Sequence, residues 1–343
     1  MRTITKKASW KHITFMTPKV GFMEWAKDGI KVVLEKDYTF KDHEQLHALH
    51  INLNPSYNSD STCWISIDEL KSIHAKSKRK EMIELLNGQV YDKEMLLKKM
   101  YNDSFYYGEL GKYALSSSAV KSLIDSPREY ARSLNYKSDS NAYKLGRLIH
   151  LGALEPDKLE TLIHVVEVKS QVTKAYKDKV KEVGDAQFVY TRKDYDKAMY
   201  SVDALLQNDV WQQVTRGAKF EVPGFDILQG YPFRAKADVL GDNYIADLKT
   251  TSDLKAFKWS AIKYNYDVQV YIYCELFKIT YNNFIFFAID KSSGDLGIYD
   301  VTENFYNSGK DKVEYALKIY EDYFVKKKRE LNEYVIRGTI DAR

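Results

Sequence analysis

The chain has 343 residues, 44% hydrophobic and 29% charged, with a formal net charge of +4; that length can bury a sizeable core and suggests about two domains, while so small a net charge excludes a passive nucleic-acid coat. No apolar run reaches the ~18 residues of a membrane span and the N-terminus lacks a secretory h-region. With only Cys63 and Cys274, a disulfide framework is also excluded, so a globular protein of the cytoplasm with no membrane partner is expected.

Residues 1–110 read as an N-terminal accessory region. KVVLE (31–35) and CWISI (63–67) are strand-like, and a charged helical stretch is predicted from about 67 to 100. DHEQLHALH matches H-E-x-x-H at His43, Glu44 and His47, with His50 a turn later; in zinc proteases such histidines share a helix face with the glutamate as base. Lys41 and Asp42 stand just before the first histidine, and the region is small for a substrate cleft. A solvated His-rich helix is therefore favoured over zinc, whether catalytic or structural with Cys63. The basic runs KSKRK (76–80) and KKKR (326–329) read as solvated helix faces. YNDSFYYGELGKYALSSS (101–118) reads as a connection, and a second domain is placed at 111–343.

That domain opens with an N-cap at Ser116 and helical spacing of Ala119, Val120, Leu123 and Ile124 before Pro127. A helix over NAYKLGRLIHLGALEP (141–156) follows, then helical sequence from 189 to 215. KFEV, YPFRAKADVL and YIADLKT read as strands, the last two joined by a turn at Gly241-Asp242-Asn243. The helix NYDVQVYIYCELFKI (265–279), the strands NFIFFAID (283–290) and LGIYDV (296–301), and an amphipathic C-terminal helix complete the order. The order predicts an α/β (mixed α+β) fold, a mixed central sheet flanked by helices.

The hairpin FRAKADVLGDNYIADLKTT (233–251) carries the chemistry. Residues i and i+2 of a strand face one side, so Asp247 and Lys249 project together while Leu248 points into the core. Asp238 comes close to Asp247 if the strands pair across the turn. Two adjacent carboxylates repel unless a cation lies between them, and oxygen ligands suit Mg²⁺ or Mn²⁺. A lysine beside the ion can stabilise an attacking hydroxide or the charge on a phosphate, a set suited to phosphodiester hydrolysis. A cross-strand salt bridge accounts for the same spacing. A second match to the text of such sites, PDKLETLIHVVEVK with Asp157, Glu167 and Lys169, has no turn residue and no strand alternation after Pro156, which argues against a hairpin there.

In order along the chain, LSSSAVKSLIDSPREY, GRLIHLGALEP, FRAKADVL, YIADLKTTSDLKAFKW and YDVQVYIY resemble the motifs of RecB-like nucleases in the PD-(D/E)xK superfamily, most closely the RecE-type exonucleases (exodeoxyribonuclease VIII) of phages and prophages. The resemblance covers about residues 112–290. It implies a restriction-endonuclease-like core, with Asp238, Asp247 and the Leu248 carbonyl as metal ligands, Lys249 positioning or activating water, and His150 contacting the metal or its water. It further implies that Gln269 and Tyr273 hold Lys249 or a phosphate, that Glu221 reaches a second metal, and that Ser116, Ser118, Arg128 and Arg147 bind DNA phosphate. The activity implied is Mg²⁺-dependent 5′ to 3′ degradation of one strand of linear double-stranded DNA from its ends, by a homo-oligomer, with a single-strand annealing protein as partner in phage recombination. Structure-specific endonuclease activity on the same site and a non-catalytic DNA-binding or assembly role are the alternatives, the zinc protease a remote one. Ala237 stands where the superfamily has proline, and two cysteines exclude its iron–sulfur branch.

Overall fold

The computed structural model describes residues 81–135 and 141–338, together with the strands β1 (Ile4–Lys6), β2 (Val20–Ala26), β3 (Gly29–Leu34) and β4 (Ile65–Ser66). The chain divides into two compact units, Met1–Glu81 and Met82–Arg343. In the first, β1 to β4 form one sheet in chain order, with β1 parallel to β2 and the other pairs antiparallel. The stretches KVVLE and CWISI supply β3 and β4. His43, Glu44, His47, His50, Cys63 and the run 76–80 lie outside the described residues.

The second unit begins at Met82. Among the described residues of the stretch predicted helical, 81–100, β5 (Met82–Glu84) and β6 (Val90–Asp92) pair as a hairpin, and α1 (Lys93–Lys99) is the helix. The signal was Asn87-Gly88, a turn dipeptide whose glycine takes φ +78°. Nor is 101–118 a simple connection. Ser104–Glu109 winds as a π-helix and Leu110–Tyr113 as α2, because Tyr106 and Leu110 bury against Ile83, Leu96, Met100 and Phe225.

Next come α3 (Ser117–Asp125), α4 (Pro127–Ser133), α5 (Asn141–Leu154), α6 (Pro156–Leu162), the short strand β7 (His164–Val166), α7 (Lys174–Val183), β8 (Val189–Thr191), α8 (Arg192–Leu206) and α9 (Asp209–Thr215). The central sheet and its flanks follow: β9 (Lys219–Leu228), β10 (Tyr231–Leu240), β11 (Ile245–Thr251), α10 (Phe257–Lys263), α11 (Tyr266–Phe277), β12 (Phe284–Asp290), β13 (Leu296–Asp300) and α12 (Glu303–Tyr320). Strand order is β13-β12-β11-β10-β9, with β11 parallel to β12 and every other pair antiparallel. The parallel pair needs a crossover, which α10 and α11 provide. This is the mixed sheet flanked by helices that the order of elements predicts.

Two cores sandwich the sheet. One packs α3, α11 and α12 against Phe233, Ala235, Ala237 and Phe286; the other packs α5, α8 and α9 against Val239, Ala246, Leu248 and Phe287. Helix α11 is buried on nearly every side, from Asp267 to Cys274 and again at Leu276, which is why its apolar residues show no single stripe. Pro156–Leu162 is helical and Glu167 pairs with Arg192 (Nε to Oε1, 3.0 Å), so PDKLETLIHVVEVK forms no hairpin.

Candidate active site

Strict alternation would put Ala237 and Val239 on one face of the sheet, yet Ala237 lies in the core beside α11 and Val239 in the core beside α5. The strand therefore changes facing at Asp238. Opposite it on β9, where Ala237 pairs with Val222 and Val239 with Phe220, stands Glu221 with φ +50°. A non-glycine residue in that region is strained by roughly 1–2 kcal/mol. The irregularity brings the two acids to the same place. Beyond Leu240↔Ile245 and Val239↔Ala246 the β10–β11 pairing ends, and the Asp238 carboxylate takes over the ladder by accepting the Leu248 N–H at 2.8 Å.

His150 reaches this point from α5. Its Nε2 lies 3.0 Å from Asp238 Oδ2 and 3.1 Å from the Leu248 carbonyl oxygen, and its Nδ1 lies 3.7 Å from Glu221 Oε1. Helix α5 can approach so closely because Gly146, one turn earlier, presents no side chain: a Cβ there would stand 3.0 Å from Thr250 Oγ1. The ligand atoms of His150, Glu221 and Asp238 lie within 4.8 Å of one another, the one such grouping among the described residues.

Electrostatics fit that set to a cation. Burial alone would lower the His150 pKa, but the Asp238 and Glu221 carboxylates outweigh it and hold the imidazole well above its usual range. Burial raises Glu221, whereas for Asp238 the burial penalty is overcome by His150, Lys249 and the Leu248 N–H, which together lower it. The two carboxylates thus favour a proton on the imidazole between them. Two carboxylates and an imidazole are the donors a divalent ion takes, and an ion binding there must displace that proton. These three residues could hold a divalent metal.

Asp247 and Lys249 sit on the other side of Leu248. Asp247 is fully buried; Gln269 of α11 donates to its Oδ1 and Lys249 forms an ion pair with its Oδ2. Burial, with Asp238 adding to it and Lys249 opposing, pushes the Asp247 carboxyl up to about 6. Burial would lower Lys249, but Asp247 and Asp238 raise it, so its side chain is an ammonium. The converging set thus differs from the expected one. Glu221, expected at a second metal, stands with His150 and Asp238, while both oxygens of Asp247 are engaged by Gln269 and Lys249.

The structure places the other expected site residues as follows. Tyr273 holds neither Lys249 nor an accessible phosphate site: it is 8% exposed, and its hydroxyl donates to the Lys236 carbonyl at 3.0 Å, fastening α11 to β10. Gln269 serves Asp247 rather than Lys249. The Arg128 guanidinium is committed to the Leu331 and Asn332 carbonyls at 2.8 and 3.1 Å. Arg147 donates to Gln187 Oε1 at 2.8 Å and lies over the Phe188 ring. Ser116 caps α3 by accepting the Ala119 N–H, and Ser118 is exposed. Replacing Tyr273 by Phe is expected to cost about 1 kcal/mol of stability, the value of one buried hydrogen bond, and to leave cleavage unchanged; urea denaturation and a nuclease assay check the two halves.

Sequence reasoning missed two neighbours. Arg234, Lys236 and Asp238 share one face of β10 by their i, i+2, i+4 spacing, a signal visible in FRAKADVL. Lys236 reaches Asp103 Oδ1 at 2.8 Å and Glu221 Oε2 at 3.9 Å, and Asp103 also takes Lys158 at 2.7 Å. The stretch around the π-helix therefore braces Glu221. The other is Lys121 of α3, whose ammonium lies 5.0 Å from the Tyr266 ring centre, the ring that Lys249 meets at 5.1 Å. Burial, then Lys249, lowers Lys121 to about 8. Its unfolded value is 10.5, so stability rises with pH between those values and the penalty is complete at neutral pH. Lys121→Met is expected to stabilise the protein by about 1–2 kcal/mol at neutral pH, the gain shrinking as pH rises past about 8; denaturation at pH values on either side of that one measures it.

Residues 116–333 match the model of a family described as a PDDEXK-like domain of unknown function (DUF3799). The chain belongs to this PDDEXK-like family. Among solved structures, a candidate exonuclease of Eubacterium rectale is 16% identical, with 70% of this chain and 95% of that chain covered and a TM-score of 0.49. The protein SSO0001 is 15% identical over 57% of this chain and 84% of its own, with a TM-score of 0.25. No curated protein matches. Family membership places the chain in the PD-(D/E)xK nuclease superfamily, whose members usually use divalent metals, and no helix among the described residues is long and apolar enough to cross a membrane.

Proposed function

We propose that this PDDEXK-like protein is a Mg²⁺-dependent deoxyribonuclease of RecE type that degrades one strand of linear double-stranded DNA in the 5′ to 3′ direction, leaving a 3′ single strand for recombination by annealing. The observation that carries the reading is the meeting of His150, Glu221 and Asp238 where β10 and β11 part, with the Lys249 ammonium held by Asp247 one residue beyond Leu248. His150, Glu221 and Asp238 would hold the ion, Mg²⁺ or Mn²⁺, which when bound polarises a phosphodiester and supplies an ionised water. Lys249 would neutralise charge growing on the phosphate. Gln269 would fix Asp247 so that Lys249 stays aimed, and Lys236 would hold Glu221 from behind. A homo-oligomer acting in the cytoplasm on DNA ends, beside a single-strand annealing protein in a phage or mobile element, is the setting this reading implies.

The test is digestion of linear duplex DNA, 5′-labelled on one strand, by the full chain with and without Mg²⁺, beside Lys249→Gln. Metal-dependent release of labelled mononucleotides, lost in the variant, supports the reading. Internal nicks would replace it by an endonuclease on the same residues. A folded wild type that binds DNA without cutting it would leave a DNA-binding or assembly role.

A further inference from the structure

The segment from Leu254 to Tyr266, LKAFKWSAIKYNY, contains three lysines, four aromatic residues and no acid. It leaves the active-site strand β11 and enters α11, the helix that carries Gln269. Phe257 and Ala261 anchor α10 in the core, as their spacing of four dictates. The opposite face of α10 is left outside: Trp259 is 64% exposed, Ile262 53%, and Tyr264, just beyond the helix, 53%. Lys255, Lys258 and Lys263 are exposed with them. Exposed aromatic rings add nothing to the stability of a fold, and this patch carries three lysines, with Asp253 in the turn before α10, a composition that suits a binding surface.

The rings and ammonium groups also connect in space to the chemistry. Lys249 lies over Tyr266 (5.1 Å), Tyr266 lies 6.2 Å from Tyr264, Lys263 lies over Tyr264 (5.6 Å), and Lys258 lies over Trp259 (5.3 Å). Aromatic faces alternating with cations suit one class of ligand, a single nucleic-acid strand, whose bases stack on the rings while its phosphates meet the lysines. A stacked duplex buries every base face but those of its terminal pairs and offers no run of bases to Trp259 and Tyr264.

We propose that the outer face of α10 with Tyr264 is a track for single-stranded DNA running to or from the Lys249 site, with Trp259 and Tyr264 as its stacking platforms. The proposal rests on the nuclease reading for its purpose, since separated strands arise where one strand of a duplex is being removed, but its binding step needs neither metal nor cleavage.

The experiment is therefore a binding one. Fluorescein-labelled oligodeoxythymidine and a duplex of equal length are titrated with the full chain in EDTA, using wild type, Trp259→Ala, Tyr264→Ala, Trp259→Phe and the double alanine variant. Each alanine substitution is expected to weaken single-strand binding about tenfold, the loss of one stacked base, with Trp259→Phe close to wild type and duplex binding changed much less. Hydrolysis of bis(p-nitrophenyl) phosphate with Mn²⁺, which needs no track, should be the same in all five proteins. Unchanged oligothymidine affinity in the double variant overturns the proposal, as does an equal loss for duplex. Unchanged affinity together with a shift in oligomeric state on gel filtration overturns it in favour of contact between copies of this chain. If wild type hydrolyses neither DNA nor the small phosphodiester while the binding losses appear, the nuclease reading fails and the track stands.

Discussion

Asp238→Asn is expected to abolish both the stabilisation that a divalent ion confers on this protein and its cleavage of DNA. Asp238 is the shared member of the site. Its Oδ2 meets His150 Nε2 at 3.0 Å and the Leu248 N–H at 2.8 Å, and Glu221 stands opposite on β9. An asparagine oxygen can still accept the Leu248 N–H, so the end of the ladder survives. What disappears is half the negative charge facing the imidazole. In the wild type, an ion present at 100 times its dissociation constant adds about 2.7 kcal/mol to stability, visible as a rise in Tm on addition of Mn²⁺ or Mg²⁺. In the variant that rise should vanish and cleavage should fall on the order of 10³-fold. Because the ion displaces the proton that Asp238 and Glu221 hold on His150, the wild-type Tm rise should grow as pH is raised. Asp157→Asn, in the helical stretch that carries the second match to the motif text, should leave both readouts at wild-type values. Calorimetry with and without metal decides it: a full metal shift in Asp238→Asn would put the ion elsewhere.

Lys249→Ala is expected to lose cleavage and also to destabilise the fold by about 3–5 kcal/mol, the cost of leaving one member of a buried ion pair alone. Asp247 has no exposure and its Oδ2 pairs with that ammonium. Removing both charges should cost far less. The double variant Asp247→Asn/Lys249→Met keeps a side-chain amide opposite Gln269 and removes both charges of the pair, so it should recover most of the lost stability while remaining inactive. The pH dependence separates the two effects. With Lys249 present, the Asp247 carboxyl already lies at about 6; without it, Asp247 rises further. A group whose folded pKa is raised supports the fold at low pH, and that support is lost as pH rises through the folded value. The deficit of Lys249→Ala should therefore be small near pH 4 and grow as pH rises past about 6. Urea denaturation across that range measures it, and a deficit independent of pH would mean that Asp247 is not the group left stranded.

The sequence by itself determined the sheet, because strands and helices announce themselves by period: β9 to β13, α5, α11 and α12 follow from alternation, apolar spacing and the turn after Leu240. It also picked out the candidate site residues. Asp238, Asp247 and Lys249 stand out because a two-residue period puts the last two on one face, and His150 only because GRLIHLGALEP resembles a family motif. What alternation could not show is where a strand breaks its own rule. The change of facing at Asp238 and the left-handed conformation of Glu221 arise from pairing between strands, and they bring Glu221 beside His150 and Asp238, while Asp247 pairs with Lys249.

Hydrogen-bond assignments were equally out of reach. A tyrosine four residues from a glutamine is legible as a neighbour on the helix, but whether its hydroxyl meets a lysine, a phosphate or a backbone carbonyl depends on which strand the helix crosses; here β10 supplies the Lys236 carbonyl. Arg128 and Arg147 were assigned to phosphate by motif position, and tertiary contacts spend both on protein oxygens. The stretch 101–113, rich in turn-forming residues, became a π-helix and α2 because Tyr106 and Leu110 found a partner in Phe225, more than a hundred residues away. Local propensity is a weak term beside such burial, and so the tertiary structure decided which side chains surround the acids that the sequence had placed.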